Sequence, residues 1–411
     1  MPTLNKTRAA LTKDLAPAPP ADPHLTRLRI ALTAFFAMDG FLFAGWVVRI
    51  PAIKAQTGAG AGTLGLALLG VSAGAVAFMM ITGRLCRRFG SHAVTTASAA
   101  ALALSIVLPP LTRSATALGL VLLVFGAAYG SLNVAMNSAA VDLISALRRP
   151  VMSSFHAAFS LGGMLGAGLG GLIAGGLSPT AHLLLLAAIG LLVTAVAGNA
   201  LRAHPAPAVP ERLPAEQESR PRHDRAGRGR RLVLVFGLIA LCTAYGEGAM
   251  ADWGALHLSQ DLGAGPGTAA AGYAVFALAM TVGRLSGTTL VQRFGAARAL
   301  IAGGTTATAG MLFGALAPSA GAACAGFAVA GLGLANIFPI AIARAGESGG
   351  PDGVAVASTV GYGGMLLGPP AIGFLAEAAG LPAALTTVAL LAAVAAVIAY
   401  ATRGAHRTGR P

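Results

Sequence analysis

Apolar runs of about twenty residues recur through this chain, separated by short polar or glycine-rich breaks, and few folds can house them. They fall near 28–50, 64–83, 93–111, 116–141, 152–176 and 182–201, then near 232–256, 268–287, 296–317, 321–344, 355–376 and 382–401. A helix rising 1.5 Å per residue needs about 20 residues to cross a hydrocarbon core of about 30 Å. In that medium every backbone N–H and C=O must find its partner within the protein, and a helix satisfies this segment by segment. Charged residues make up only 10% of the chain and hydrophobic ones 55%, against roughly 25% charged in a soluble domain. The reading is an all-α membrane protein of twelve transmembrane helices.

The twelve runs form two sets of six. Arg88-Phe89-Gly90 returns about two hundred residues later as Arg293-Phe294-Gly295, each time between two long apolar runs. Asp39-Gly40 returns as Glu247-Gly248, Gly130-x-x-Asn133 as Gly333-x-x-Asn336, and Gly162-x-x-x-Gly166 as Gly364-x-x-x-Gly368. The two tryptophans, Trp46 and Trp253, keep the same order and nearly the same offset. Two homologous six-helix bundles are expected, an internal duplication found among transporters.

The net charge of +14 raises the question of nucleic acid, and its distribution answers it. With the N-terminus inside, every Lys and Arg except Arg49, Lys54 and Arg113 falls in a segment on one side of the membrane. Cationic loops orient membrane proteins in this way, which places both termini in the cytoplasm. No basic patch has a soluble domain to sit on, so nucleic acid is not an expected partner. Residues 1–26 are then a loose cytoplasmic tail, 27–201 the first bundle, 202–231 a Pro- and Arg-rich linker, 232–402 the second bundle and 403–411 a C-terminal tail. The linker is too polar to bury a core, and its arginines suit anionic lipid head groups. Membrane lipids are therefore expected partners. Trp46 and Trp253, near the outer ends of their spans, are expected to act as interfacial anchors.

Several short motifs carry no chemistry here. Gly70-Val71-Ser72-Ala73-Gly74 lies inside an apolar helix rather than on a strand-turn-helix elbow, and two Gly-x-Gly-x-x-Gly matches follow no strand. Cys86, Cys242 and Cys324 have neither pairing nor metal-ligand spacing. No cofactor and no metal are expected, and no nucleophile and base converge as an enzyme would need. The glycines Gly162, Gly166 and Gly170, at four-residue intervals, read as a surface for close helix packing. Gly368-Pro369, followed by Pro370, reads as a possible bend.

Ionisable and amide groups inside the spans are more informative, because each is costly in lipid unless it faces a cavity or a partner. They are Asp39 in span one, Asn133 and Asn137 in span four, His156 in span five, Glu247 and Asp252 in span seven and Asn336 in span ten. Polarity thus concentrates in spans one, four, seven and ten, as it would around a central aqueous cavity. These seven residues are the candidate substrate and proton pathway. Glu247 is the expected proton carrier, with Asp39 its counterpart or a hydrogen-bond acceptor. The asparagines, offering donors and acceptors, suit a polar solute. His156 is expected to hydrogen-bond between helices.

Twelve spans in two halves, a basic central linker and glycine-bounded basic turns after spans two and eight resemble the major facilitator superfamily of secondary transporters, over residues 28 to 401. The family's turn signature is matched by Gly83, Arg88 and Gly90, and in the second copy by Arg293 and Gly295. Its acidic position is held by Arg87 and Gln292, so the resemblance does not carry over the family's charge-pair latch. Gly162, Gly166 and Gly170 partly match an antiporter signature. Arg49-Ile50-Pro51, Asn133-x-x-Met136-Asn137 and Glu247-Gly248-Ala249-Met250-Ala251-Asp252-Trp253 resemble a bacterial inner-membrane branch, the YbjJ-like proteins, near the fucose permeases. The resemblance implies a monomeric, multi-pass transporter of the bacterial plasma membrane that moves a small-molecule substrate, with protons, by alternating access. Uptake of a sugar-like or other polar metabolite is favoured. Proton antiport exporting a drug or metabolite, and a non-transporting sensor or scaffold, are the alternatives.

Overall fold

The computed structural model describes residues 22–59, 61–173, 176–203, 222–264 and 266–403. Most of the expected N-terminal tail, linker and C-terminal tail lie outside these residues. Twelve spans follow in order. The first bundle has Pro23–Val47, Ala61–Phe89, Ser91–Ser105, Ala115–Leu147, Met152–Ile173 and Pro179–Ala203. The second has Arg222–Leu256, Pro266–Phe294, Ala296–Ala315 and Ala320–Leu334. Ile337–Ala379 then completes span ten and, beyond a kink at Gly350, forms span eleven, and Leu381–Thr402 is span twelve. Nine helical segments of the described residues are long and apolar enough to cross a membrane, and one of them, Ala320–Ala379, holds two spans. Met152–Ile173 and Ala296–Ala315 complete the twelve.

Two boundaries differ from the sequence reading. The helix of span seven begins at Arg222, inside the expected linker. Span ten is not one helix but is broken at Ala335 and Asn336. The helix also runs on through Pro369 and Pro370, and the non-helical residue within Ile337–Ala379 is Gly350 instead, with φ of 57°. That conformation suits glycine, which lacks the Cβ that would clash there.

The duplication is visible in the turns. Gly90 and Gly295 adopt φ of 84° and 80°, each ending one span and starting the next. Ser114 accepts a hydrogen bond from the Ala117 N–H at the start of span four, and Ser319 does the same for Ala322 at the start of span ten. Each hydroxyl satisfies one of the N–H groups that a helix start leaves open. Within the first bundle, a Cβ on Gly162 or Gly166 would meet the backbone of Ala37 or Phe41. Span five therefore packs backbone-close on span one, the use expected of small residues in lipid.

The two halves meet along a seam that begins at the basic face. Arg87, at the end of span two, forms an ion pair with Asp352 at the start of span eleven. The resemblance does not carry a charge pair over to this turn; here the acid missing from the turn stands across the seam, and Arg87 supplies the opposite sign. A cavity of about 460 Å³, lined by Ser138, Asp142, Glu347 and Pro351, lies on the same side. Farther in, Ser153 of span five lies where a side chain on Gly287 of span eight would be.

Candidate functional site

Span ten is broken because Pro339 has no N–H to give to the carbonyl four residues earlier, that of Ala335. The freed carbonyl accepts from Arg284 Nε at 3.3 Å. Irregular backbone at membrane depth is tolerated only where other protein groups or a cavity satisfy it, and Arg284 does so here. The same guanidinium donates from Nη2 to both carboxylate oxygens of Glu247, at 3.1 and 3.2 Å. Its Nη1 reaches across the seam to Ser160 Oγ at 2.6 Å. The Arg284 side chain is 9% exposed and that of Glu247 24%. Desolvation on this scale makes a lone charge expensive, and each partner compensates the other. Beside the break, Asn336 donates from Nδ2 to the Gly283 carbonyl at 2.8 Å, while its Oδ1 is buried without a partner.

The first half is arranged differently. Asp39 is 0% exposed, and neither carboxylate oxygen has a hydrogen-bond partner. Its neighbours on the same face of span one are aromatic: Phe36 stacks on Phe155 at 5.3 Å and Phe43 on Tyr129 at 5.0 Å. Tyr129 in turn receives a hydrogen bond from Tyr362 of span eleven at 3.3 Å, and Asn133 Nδ2 donates to the Tyr362 hydroxyl at 3.4 Å. Asp39 and Glu247 both lie within electrostatic reach of this tyrosine pair. Asn137 donates to the Asn133 carbonyl at 2.8 Å and offers its Oδ1 to His156 Nε2 at 3.2 Å, which places a proton on that nitrogen. His156 then meets Phe338 of span ten edge-on at 5.9 Å.

Six of the seven sequence candidates therefore lie in the interior: Asp39, Asn133, Asn137 and His156 in one half, Glu247 and Asn336 in the other. Asp252 does not join them. It is exposed, toward the end of span seven away from the basic face, within electrostatic reach of Tyr273. Trp46 is also not an interfacial anchor, being buried against Phe125 at a ring distance of 6.1 Å. Arg284, counted among the loop cations from sequence, is buried within span eight. Its place inside an apolar run was the signal that should have separated it from Arg293. Tyr129, Ser160 and Tyr362 were missed because hydroxyls are common throughout these spans and nothing in the sequence says which face them inward. Pro339 was the remaining legible clue, a proline within an otherwise helical run.

Together the central groups offer one compensated acid, one uncompensated acid, two tyrosine hydroxyls, unpaired amide oxygens on Asn133 and Asn336, and aromatic faces. Such a set can hold a small polar solute and a proton. It holds no group of three or more metal-binding side chains among the described residues.

A model of the Major Facilitator Superfamily matches residues 30–349 and again 236–411. An uncharacterized MFS-type transporter of Yersinia pestis is 37% identical over 377 residues, covering 90% of this chain and 94% of that protein. The membrane protein MosC of Rhizobium meliloti is 32% identical over 393 residues, covering 94% and 92% respectively. Among solved structures, the E. coli fucose:proton symporter superimposes with a TM-score of 0.74 at 17% identity, over 92% of this chain and 99% of that one.

Proposed function

Since the chain belongs to the Major Facilitator Superfamily, and is accordingly a multi-pass membrane transporter rather than an enzyme, we propose that it couples transport of a small polar solute to a proton carried by Asp39. The observation that carries this reading is the contrast between the two central acids: Glu247 is engaged by Arg284, whereas Asp39 is buried with both oxygens unpartnered. An isolated carboxylate in a low-dielectric interior is held only with a proton, a cation or a strong donor beside it. Glu247, the expected carrier, is instead the counter-ion of a buried arginine.

In this mechanism the solute enters between the halves and lies against Phe43, Tyr129 and Tyr362, with its hydroxyl groups meeting the free amide oxygens of Asn133 and Asn336. Aromatic faces and amides favour a polyhydroxylated, sugar-like molecule. The similarity in fold to a fucose:proton symporter supports that class and supports uptake. Seam contacts run from Arg87–Asp352 at the basic face inward to Tyr129–Tyr362. With the basic face in the cytoplasm of a bacterium, this is a state closed to the inside. Opening inward then requires the Arg284–Ser160 contact and the tyrosine pair to part as the halves rock. The transporter works as a monomer, with one site between its halves.

Solute flux in proteoliposomes tests the assignment. Asp39→Asn should abolish accumulation driven by an inward proton gradient while leaving solute-for-solute exchange across the membrane. Full gradient-driven accumulation by Asp39→Asn would remove Asp39 from the role. Alkalinisation of the outside medium on adding solute would mark symport, and acidification would mark antiport.

A further inference from the structure

Away from the seam, spans two, three and four enclose a lipid-facing groove of about 690 Å³. Phe78, Leu85 and Phe89 line it along span two, Ala97 on span three, and Leu123 and Ala127 on span four. The small side chains leave the trough and the large ones rim it. Phe78, Phe89 and Leu123 are themselves exposed, so the groove is open to the bilayer.

Its length and its end define what fits. From Phe78 to Phe89 the helix rises about 16 Å at 1.5 Å per residue, close to half of a hydrocarbon core about 30 Å thick. Along span two the groove is therefore about one leaflet deep, and the leaflet is the one on the basic side. It ends at the turn that carries Arg84, Arg87 and Arg88. Arg87 is committed to Asp352 across the seam. Arg88 is exposed, and its guanidinium carbon stands 5.2 Å above the ring of Phe89, the residue that closes the groove. Among the described residues it has no carboxylate partner. An apolar trough of leaflet depth thus leads to an uncompensated cation at head-group level.

We propose that this groove is a binding site for an anionic phospholipid, one acyl chain lying along Phe78, Leu85 and Ala97 and the phosphate resting on Arg88. Exposed apolar surface in a membrane protein is covered by bulk lipid in any case. What distinguishes this site is that the trough and the cation stand in register for one molecule. The bound lipid holds the same turn whose preceding residue, Arg87, closes the seam.

Native mass spectrometry of the purified protein, titrated in detergent with phosphatidylglycerol or with phosphatidylcholine of identical chains, tests this. The wild type should retain one phosphatidylglycerol in preference to phosphatidylcholine. Arg88→Gln should weaken that retention about fivefold, the effect of one cation near an anionic surface, and Arg88→Lys should restore most of it. Ala97→Phe, or Ala127→Leu should the former fail to fold, fills the trough and should weaken retention at least as much, with an unchanged melting temperature in lipid-free detergent. Equal retention of the two lipids overturns the proposal. So does a loss confined to Arg88→Gln with both trough-filling variants unaffected, since that outcome is head-group attraction without a groove.

Discussion

Asp39 and Glu247 occupy equivalent places in the two halves, each followed by glycine, yet their surroundings are opposite. Glu247 faces a guanidinium that also binds the other half and a broken helix. Asp39 shares its helix face with Phe36 and Phe43, both packed on other rings, and has no donor. A duplicated chain thus supplies an acid twice, and the groups packed around the two acids differ. One serves as the counter-ion that lets a buried arginine exist, and the other stands with neither counter-ion nor hydrogen-bond donor. The lesson is that internal symmetry predicts where functional groups lie better than it predicts their roles.

The contrast between the two acids is tested first at Asp39. Its conversion to Asn should lower proton-driven accumulation by about a hundredfold or more, with melting temperature unchanged or raised, because an unpartnered buried acid has been replaced by a neutral amide. A fall in stability comparable to the fall in transport would instead make Asp39 a structural residue. Glu247→Gln should behave in the converse way. It strands Arg284 without its charge partner and should cost about 3 kcal/mol of stability, read as a lower midpoint of denaturation in detergent. The double variant Glu247→Gln with Arg284→Met should recover much of that loss. A Glu247→Gln variant as stable as wild type would show that the pair is not what holds Arg284.

Smaller effects lie along the seam. Tyr362→Phe removes the hydroxyl that meets Tyr129 and Asn133, and a lost hydrogen bond of about 1 kcal/mol should shift the balance of open and closed states about fivefold. Double electron–electron resonance distances across the basic face would report it. Arg87→Gln should shift the same balance less, by about threefold at most, because both side chains of the Arg87–Asp352 pair are 49% exposed and water screens them. The swap Arg87→Asp with Asp352→Arg should return the distances toward wild type. If each single variant matches wild type, the pair is decorative.

The fold was legible because lipid imposes one requirement, a self-satisfied backbone over a fixed length, and apolar run length records it directly. The candidate residues were legible for the same reason: Asp39, Asn133, Glu247 and Asn336 are costly where they stand and so are conspicuous. Partnerships were not legible. The apolar run around Arg284 marks its depth, but nothing near it in the chain names Glu247, Ser160 or the Ala335 carbonyl as its partners. Arg87 reads as a departure from a family pattern until Asp352, far away in the chain, is seen opposite it. Pairing across the seam depends on how the two halves are rotated against each other, and no local spacing encodes that angle.

The break in span ten has a genetic consequence. The acceptor that holds Arg284 is a backbone oxygen, so no side-chain substitution at Ala335 deletes the acceptor itself. The instruction is written four residues later. Pro339→Ala restores an N–H that competes for the Ala335 carbonyl, and should loosen Arg284 without touching it. The address of this interaction in the gene and its address in space are different places.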